Sequence, residues 1–512
     1  MAMLWTRFKR NIYLIHRWTG IAACGLMALW FVSGVVMLFV GYPKLMPAQR
    51  LARLPVLAAA GCCIPVSQAL LRAGASAAPR EITLTSIAGS PYYRLRQGDG
   101  RYVVVDAVAG VPGQPVGEQR AMLAARAFIP GAAARYLGPV DEDRWTHAAS
   151  LNPHRPLHRI QMGDAARTLL YISSSTGEPV MAAPLRQRAW NYVGAWLHWL
   201  YMFRDRPADP GWSWIVIGLS GAGVITALTG TLAGLWRWRF GSPYKSGSRS
   251  PYREGWLRWH HLSGLVFAAI VCAWIFSGLM SMNPLGIFSP KGQRPDLAAY
   301  QGGTPGTARL ALEAPEALAM LESAGFHARE IEWRVLGGMP YLLARDAANQ
   351  TRLILRDAAG PAVRAQWPDS VLLEAAPRLI NAAITSQRRL LRYDSYYYRR
   401  SAASMYGAAE RRLPALRVSF DDPDKTWAYL DPYTGDLELS SSHSQRAGRW
   451  LFNFLHSWDL PPMLRAELAR HAALILLSLG GLVLSISGIR IGYMRLRAWA
   501  AKALRKAGAF PR

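Results

Sequence analysis

Four long, almost uncharged runs limit what this chain can fold into. Each has the roughly 20 apolar residues that a membrane-spanning helix needs. Because lipid offers the backbone no hydrogen-bond partner, each run is expected to form a complete helix. The first run is too long for the apolar part of a signal peptide, so we expect it to remain in the protein. The predicted spans are 17–41, 211–236, 259–283 and 469–490.

Cationic residues are concentrated at one end of every predicted span. "RFKR" precedes the first span, "RWRFGSPYKSGSRSPYREGWLR" joins the second to the third, and "RIGYMRLRAWAAKALRK" follows the fourth. The positive-inside rule makes this end cytoplasmic, so both termini are expected in the cytoplasm. Basic segments beside anionic lipid account for part of the formal net charge of +27. No recognition motif accompanies that charge, and we expect no nucleic-acid partner.

The two long loops between spans carry strand patterns. Alternating apolar and polar residues end at glycine in "RYVVVDAVAG" and "TLLYISSSTGEPV" of the first loop, and in "RLILRDAAG" and "TWAYLDPYTGDLEL" of the second. Each loop therefore predicts a small α+β domain outside the membrane. The predicted divisions are 1–41 (first span), 42–187 (first external domain), 188–240 (histidine segment and second span), 241–283 (basic loop and third span), 284–445 (second external domain) and 446–512 (histidine segment, fourth span and tail).

The sequence also matches itself in two halves. "IHRWTGIAACGLMALWFVSG", 15–34, has the layout of "WHHLSGLVFAAIVCAWIFSG", 259–278, which starts 244 positions later. A second set of identities has a separation of 258: Thr168, Tyr171, Thr176, Gly177, His198 and Gly230 match Thr426, Tyr429, Thr434, Gly435, His456 and Gly488. We therefore expect two parallel copies of one unit, related by an axis along the membrane normal.

The first alignment pairs His16 with His260 at the cytoplasmic ends of two spans. Gly20 follows His16 by one helical turn and Gly264 follows His260 in the same way, so each glycine shares a helix face with its histidine. A neutral imidazole binds iron, and a small residue makes room for a flat macrocycle. The pattern predicts one haem between His16 and His260. The alternative is a pair of headgroup histidines beside glycines that serve helix packing.

The second alignment pairs His198 with His456. They lie in "WNYVGAWLHWLYMF" and "WLFNFLHSW", which are apolar but too short to span, and proline-bearing stretches follow both. We interpret these segments as interfacial helices that hold a second haem at the external end, with aromatic-belt anchors as the alternative. Trp30 and Trp274 lie about 21 Å along their helices from the first pair. They could fill the gap between two haems or simply pack in the bundle.

Two further histidines compete for these roles. His261 adjoins His260, but the repeat aligns it with Arg17. His471 is expected near the external end of the fourth span, where its counterpart is Ser213. Either could replace a proposed ligand or orient one.

Both external loops contain a stretch rich in basic residues. In "HAASLNPHRPLHRI", His154 and His158 have metal-ligand spacing for a helix, but Pro153 and Pro156 disfavour one, so a polar surface is the preferred interpretation. "RRLLRYDSYYYRR", 388–400, interleaves cations with tyrosines. Such a stretch could bind an iron chelate by stacking and charge, or be an ordinary solvated surface.

These features together resemble the PepSY-associated transmembrane helix family. The resemblance rests on His-x-x-x-Gly at the start of a span, on Tyr-x-x-x-x-Thr-Gly in each loop, and on "AWLHWL" and "FNFLHSWDLPP" before the next span. It covers nearly the whole chain. It implies a haem protein of the bacterial inner membrane that reduces ferric siderophores in the periplasm.

The expected protein is thus a membrane α-helical oxidoreductase with four transmembrane helices in two internal repeats and two periplasmic α+β PepSY-like domains. Its cofactor would be haem b at two sites. The sequence has no Cys-x-x-Cys motif or iron–sulfur spacing, so electrons would come from quinol or a cytoplasmic flavoprotein. The alternatives are a PepSY-bearing regulator that binds peptide and a siderophore or iron transporter, although the spans carry few charges for transport.

Overall fold

The computed structural model describes residues 2–74, 79–204, 209–253, 255–306, 312–405 and 410–506. Residues 205–208, in the proline-bearing stretch after His198, lie outside that description. The helices are α1 (Ala2–Phe39), α2 (Pro47–Leu51), α3 (Val66–Arg72), α4 (Glu118–Phe128), α5 (Leu185–Asn191), α6 (Pro210–Arg237), α7 (Gly255–Ser281), α8 (Leu297–Gln301), α9 (Ala314–Ser323), α10 (Asp369–Ala375), α11 (His443–Gly448), α12 (Leu455–Ser457), α13 (Pro461–Arg465) and α14 (Glu467–Lys506).

Four of these helices, α1, α6, α7 and α14, are long and apolar enough to cross a membrane. They coincide with the four predicted spans, so the expectation of a membrane protein is confirmed at this level. Each packs against two of the others in the cyclic order α1, α6, α7, α14, which closes a four-helix bundle. Helices α1 and α14 extend well beyond the predicted spans at their basic ends. Residues with high helix propensity, such as Ala, Leu, Arg and Lys, continue both helices there.

The described residues also contain fifteen antiparallel strands in three sheets. The strands are β1 (Glu81–Ile87), β2 (Ser90–Arg96), β3 (Tyr102–Asp106), β4 (Ala134–Val140), β5 (Leu157–Met162), β6 (Leu169–Ser173), β7 (Pro179–Ala183), β8 (Glu330–Leu336), β9 (Met339–Arg345), β10 (Thr351–Asp357), β11 (Gly360–Arg364), β12 (Ile384–Leu390), β13 (Ala415–Phe420), β14 (Trp427–Leu430) and β15 (Leu437–Ser441). All of them lie in the two long loops, as the strand patterns predict.

The largest sheet joins the two loops. Its strand order is β11-β10-β9-β8-β1-β2-β3, and β1 of the first loop pairs with β8 of the second. The two loops therefore share one sheet and one core cluster, a connection that the sequence patterns do not predict. Both strands are buried along most of their length, so leaving either as a sheet edge would expose apolar side chains and unpaired backbone groups. Their pairing removes both edges.

The other two sheets have four strands each, in the orders β4-β5-β6-β7 and β12-β13-β14-β15. In both, the last hairpin turns at a glycine with positive φ, Gly177 at 82° and Gly435 at 81°. A residue with a side chain would be strained in that conformation. From these sheets the chain leads to the two histidine segments.

Each histidine segment is a short helical stretch beside the bundle. Helix α5 continues into a π-helical turn, Tyr192–Trp196, which packs on α1. Helix α11 continues in the same way through Arg449–Phe454, which packs on α7. Both stretches end at residues with left-handed backbone, Leu200 and Trp458. Neither is long enough to span, in agreement with the prediction of short helices at the end of the bundle.

Candidate functional site

His16 on α1 faces His260 on α7 near the end of the bundle where Arg17, Arg237 and Arg495 lie, which we call the basic end. The centres of the two rings are 6.1 Å apart and the ring planes are inclined by 32°. A metal–imidazole bond is about 2.0–2.1 Å, so two imidazoles on opposite sides of one metal have ring centres roughly 6 Å apart. The separation of this pair matches that value.

The ring nitrogens of this pair are oriented by backbone carbonyls. His16 Nδ1 lies 3.1 Å from the carbonyl oxygen of Thr226, and His260 Nδ1 lies 3.2 Å from that of Leu484. A carbonyl oxygen can only accept a hydrogen bond, so each Nδ1 carries the proton and donates. The lone pair of each ring is then on Nε2, which is the arrangement that a metal ligand needs.

Two glycines allow these rings to approach the helices behind them. A Cβ added at Gly230 would lie 2.5 Å from Cε1 of His16, and one at Gly488 would lie 3.3 Å from Cε1 of His260. Each glycine follows by four residues the carbonyl that its histidine contacts. Sequence reasoning identified Gly230 and Gly488 as repeated positions but did not assign them to the site.

A cavity of about 410 Å³ adjoins the basic-end pair, and Gly20 and Gly264 line it, as predicted. His261 lines it too, but both of its ring nitrogens contact the protein. Its Nδ1 lies 2.8 Å from Ser250 Oγ and its Nε2 lies 3.0 Å from the Gly234 carbonyl oxygen. Between the two adjacent histidines, the geometry therefore favours His260 as the ligand.

His198 faces His456 at the opposite end of the bundle, next to the sheets, which we call the β end. Their ring centres are also 6.1 Å apart, with the planes inclined by 71°. Nδ1 of His198 lies 3.0 Å from Ser33 Oγ, and Nδ1 of His456 lies 3.0 Å from Ser277 Oγ. Each serine hydroxyl donates to a carbonyl of its own helix, so its oxygen accepts from the histidine. The lone pair of each ring is again on Nε2.

Small residues also stand behind the β-end pair. A Cβ at Gly34 would lie 3.6 Å from Cε1 of His198, and one at Gly278 would lie 3.7 Å from Cε1 of His456. The repeated Ser-Gly dipeptides thus hold and accommodate the second pair of rings. Their repetition in the two halves was the available signal in the sequence.

The β-end cavity has a volume of about 800 Å³, almost twice that of the basic-end cavity. Trp30 and Trp274 line it, so they lie at the floor of this cavity. The Trp30 indole donates to the His198 carbonyl oxygen at 2.9 Å. The Trp274 indole N–H is buried and has no partner among the described residues. It is therefore a candidate hydrogen-bond donor to a bound molecule.

The cavity's outer rim is formed by part of the tyrosine- and arginine-rich stretch 388–400, including Arg392, Tyr393 and Arg399. His471 does not line the cavity. Its Nε2 lies 2.9 Å from the Arg470 guanidinium, and its ring packs against Phe39. The structure thus separates His471 from the His198–His456 pair.

The two cavities are close to each other. Met27 and Val271 line the basic-end cavity, whereas Phe31 and Ile275 line the β-end cavity. Phe31 follows Met27 by four residues on α1, and Ile275 follows Val271 by four on α7. Each step is about 6 Å of helix rise. A thin apolar layer therefore divides the two sites.

The histidines of the first loop do not assemble into a metal site. His158 contacts Tyr136 OH and the Val116 carbonyl oxygen, both at 2.7 Å. His154 stacks on Tyr102, and burial lowers its pKa to about 4. Within the described residues there is no group of three or more His, Cys, Asp or Glu side chains placed to hold a metal ion.

Comparison with known proteins adds no assignment: no protein family and no curated protein matches this chain. The interpretation of the two histidine pairs therefore depends on their geometry. In each pair the ring centres are 6.1 Å apart, and glycines line the cavity beside the rings. Such a site can supply two opposite ligands to one metal ion.

Proposed function

We propose that the protein is a b-type haem oxidoreductase of the bacterial inner membrane, with one haem held by His16 and His260 and a second by His198 and His456. The observation that carries this proposal is the 6.1 Å separation of ring centres in both pairs. The two imidazoles of each pair would hold the iron of a haem, and the porphyrin would supply the other ligands. Bound haem would supply reversible one-electron chemistry.

The residues of the chain fit this cofactor at both sites. Hydrogen bonds from each Nδ1 fix the ring orientation and raise the basicity of Nε2. Gly20 and Gly264 leave space beside the first pair, and Gly34 and Gly278 beside the second. The buried Trp274 N–H offers a donor to a group in the β-end cavity. Both cavities have volumes in the range typical of cofactor sites, about 300–1,000 Å³.

The proposed direction of electron flow is from the basic end to the β end. The positive-inside rule favours a cytoplasmic basic end, with both termini inside and the sheets in the periplasm. The donor would be quinol or a cytoplasmic flavoprotein, and the acceptor a ferric siderophore or similar chelate. The thin layer between Met27 and Phe31 supports transfer between the two sites, because only about one helical turn separates their walls.

The proposal includes two internal repeats with PepSY-like external parts. Support comes from the pairing of β1 with β8, where Thr83 lies opposite Glu332, with Ile82 opposite Trp333 and Leu84 opposite Ile331. The two strands begin 249 positions apart, at Glu81 and Glu330, so Thr83 and Glu332 are equivalent positions. A two-fold axis through that pair would relate the two copies and also exchange the histidines within each pair.

An absorption spectrum of the purified full-length protein, produced with haem available, tests the proposal. The expected result is a Soret band and a pyridine haemochrome content of about two haems b per chain. The alternatives of a peptide-binding regulator or a transporter predict no such band. Haem-free protein that is folded and inserted would therefore overturn the proposal.

A further inference from the structure

The two cavities differ although their histidine pairs are alike. The β-end cavity is almost twice as large, and the segment 391–405 contributes much of its outer lining. A macrocycle small enough for the basic-end cavity would fill only part of the β-end cavity. The remaining space would lie next to the rim.

The rim residues Arg392, Tyr393 and Arg399 come from the second loop. The connection between β12 and β13 spans 391–414, whereas the corresponding connection between β4 and β5 spans 141–156 and is eight residues shorter. The shorter connection begins with "DEDR" and does not line the cavity. The longer one contributes Arg392 and Arg399 to the lining of the cavity. The rim is therefore basic and asymmetric, in contrast to the symmetric histidines below it.

Part of the positive charge near the rim is neutralised. Asp459 is completely buried and forms ion pairs with Arg400 and with Arg449. Arg392 and Arg399 are exposed, and none of the ion pairs in the described part of the chain involves them. Glu467 also lines the cavity, together with Arg465 and Arg470. The balance of charge remains positive.

We propose that Arg392 and Arg399 bind the anionic oxygens of a negatively charged ferric chelate at the mouth of the β-end cavity. A guanidinium recognises a carboxylate through two parallel N–H···O bonds, and Tyr393 adds an aromatic face beside it. The inference rests on the proposed function and names its substrate class as anionic chelates. On reduction, Fe(III) of the chelate gains one electron and becomes Fe(II). That electron originates from the quinol or flavin donor, and no bond to the protein forms.

Binding can be measured without electron transfer by using gallium(III) citrate, an anionic chelate that is not reduced under these conditions. Equilibrium dialysis of the full-length protein at low salt is expected to show saturable binding. The double variant R392Q/R399Q should bind about tenfold more weakly, and high salt should reduce wild-type binding, because exposed charges are screened. Arg356→Gln removes an exposed arginine that does not line the cavity and should have no effect.

A second measurement identifies the chelate class. Dithionite-reduced protein is mixed with ferric citrate or with a cationic ferric trihydroxamate, and R392Q/R399Q should slow only the reaction with citrate. Equal gallium citrate binding by wild type and double variant overturns the inference. Loss of β-end haem in the double variant would also overturn the inference, because these arginines would then bind the haem carboxylates. Absence of a Soret band in wild type instead contradicts the proposed function, while gallium binding still tests the rim.

Discussion

His16 and His260 lie on different helices, α1 and α7, with their ring centres 6.1 Å apart. Each donates from Nδ1 to a carbonyl of a third or fourth helix, Thr226 on α6 or Leu484 on α14. All four long apolar helices therefore determine the position of one pair of Nε2 atoms. A ligand bridge between α1 and α7 would depend on every helix of the bundle.

Removing either imidazole should empty this site. We expect His16→Ala or His260→Ala to lower the haem content from about two to about one per chain, because a single imidazole would be left to hold the haem at this site. His261→Ala should retain about two, since both nitrogens of His261 contact Ser250 and Gly234. Pyridine haemochrome assays on inserted, purified protein measure the content. Equal haem loss in all three variants would contradict the assignment of His260.

Gly230→Ala should weaken haem binding at the basic-end site. The added Cβ would lie 2.5 Å from His16 Cε1, so the ring must shift. Overpacking of this kind costs about 1–3 kcal/mol, which corresponds to roughly five- to 150-fold weaker haem binding at this site. Haem titration of the apoprotein measures the change. Gly221→Ala is the matched control on the same helix, because nothing lies within 4 Å of its added Cβ. Similar affinity of both variants for haem would exclude the proposed ring position.

The histidine pairs could be predicted because the internal repeat is visible in the sequence itself. Each histidine lies in an apolar segment, and a separation of 244 or 258 residues pairs it with a second one. The same repeat contained Ser33, Gly34 and Gly230, whose roles become evident only when a ring is seen against them. A helix periodicity shows which residues share a face but not which other helix that face meets.

Two other features could not be predicted from local patterns. The shared sheet depends on pairing Thr83 with Glu332, and strand alternation does not reveal which strand is the neighbour. The position of Arg392 at the β-end cavity depends on how a loop folds over that cavity. The sequence alone left chelate binding and an ordinary solvated surface as two interpretations of this stretch.

The β-end pair should control transfer to the acceptor. We expect His198→Ala or His456→Ala to slow reoxidation of dithionite-reduced protein by a ferric siderophore about tenfold or more, while the basic-end haem can still be reduced. Stopped-flow absorbance measures both steps. His471→Ala should leave the rate unchanged, because His471 contacts Arg470 and Phe39 rather than the pair. If no ferric chelate reoxidises the wild type faster than air does, the siderophore assignment fails.

The distribution of cations predicts the topology. A reporter fused to the C-terminus should be cytoplasmic, because α14 ends in a basic segment. A reporter inserted at Gly110, in a tight turn after β3, should be periplasmic. Paired alkaline phosphatase and fluorescent-protein fusions distinguish the two compartments. Finding both positions on one side would contradict the proposed orientation.

Glu178 should make the stability of the β part depend on acid. Its carboxylate is buried and lies 2.7 Å from Arg94 and 3.6 Å from Arg50. Burial by itself raises the pKa of Glu178, but the two arginines outweigh it and lower the pKa from 4.5 to about 2. A carboxyl with a lowered folded pKa stabilises the fold above its unfolded pKa. That contribution, about 3 kcal/mol, is lost as the pH falls from about 4.5 towards 2.

Glu178→Gln tests this dependence. The variant leaves Arg94 without its carboxylate partner, so we expect the β part to lose about 3 kcal/mol at pH 7. Hydrogen–deuterium exchange of β1 to β3 in the full-length protein, at pH values from 7 to 3, measures the change. The wild type should exchange faster as the pH falls below 4.5, after correction for intrinsic rates, and the variant should show less of this acid effect. Glu81→Gln is the control, because the Glu81–Arg96 pair is solvent-exposed and its loss should cost under about 1 kcal/mol. If Glu178→Gln retains the full acid response, other carboxyl groups cause it.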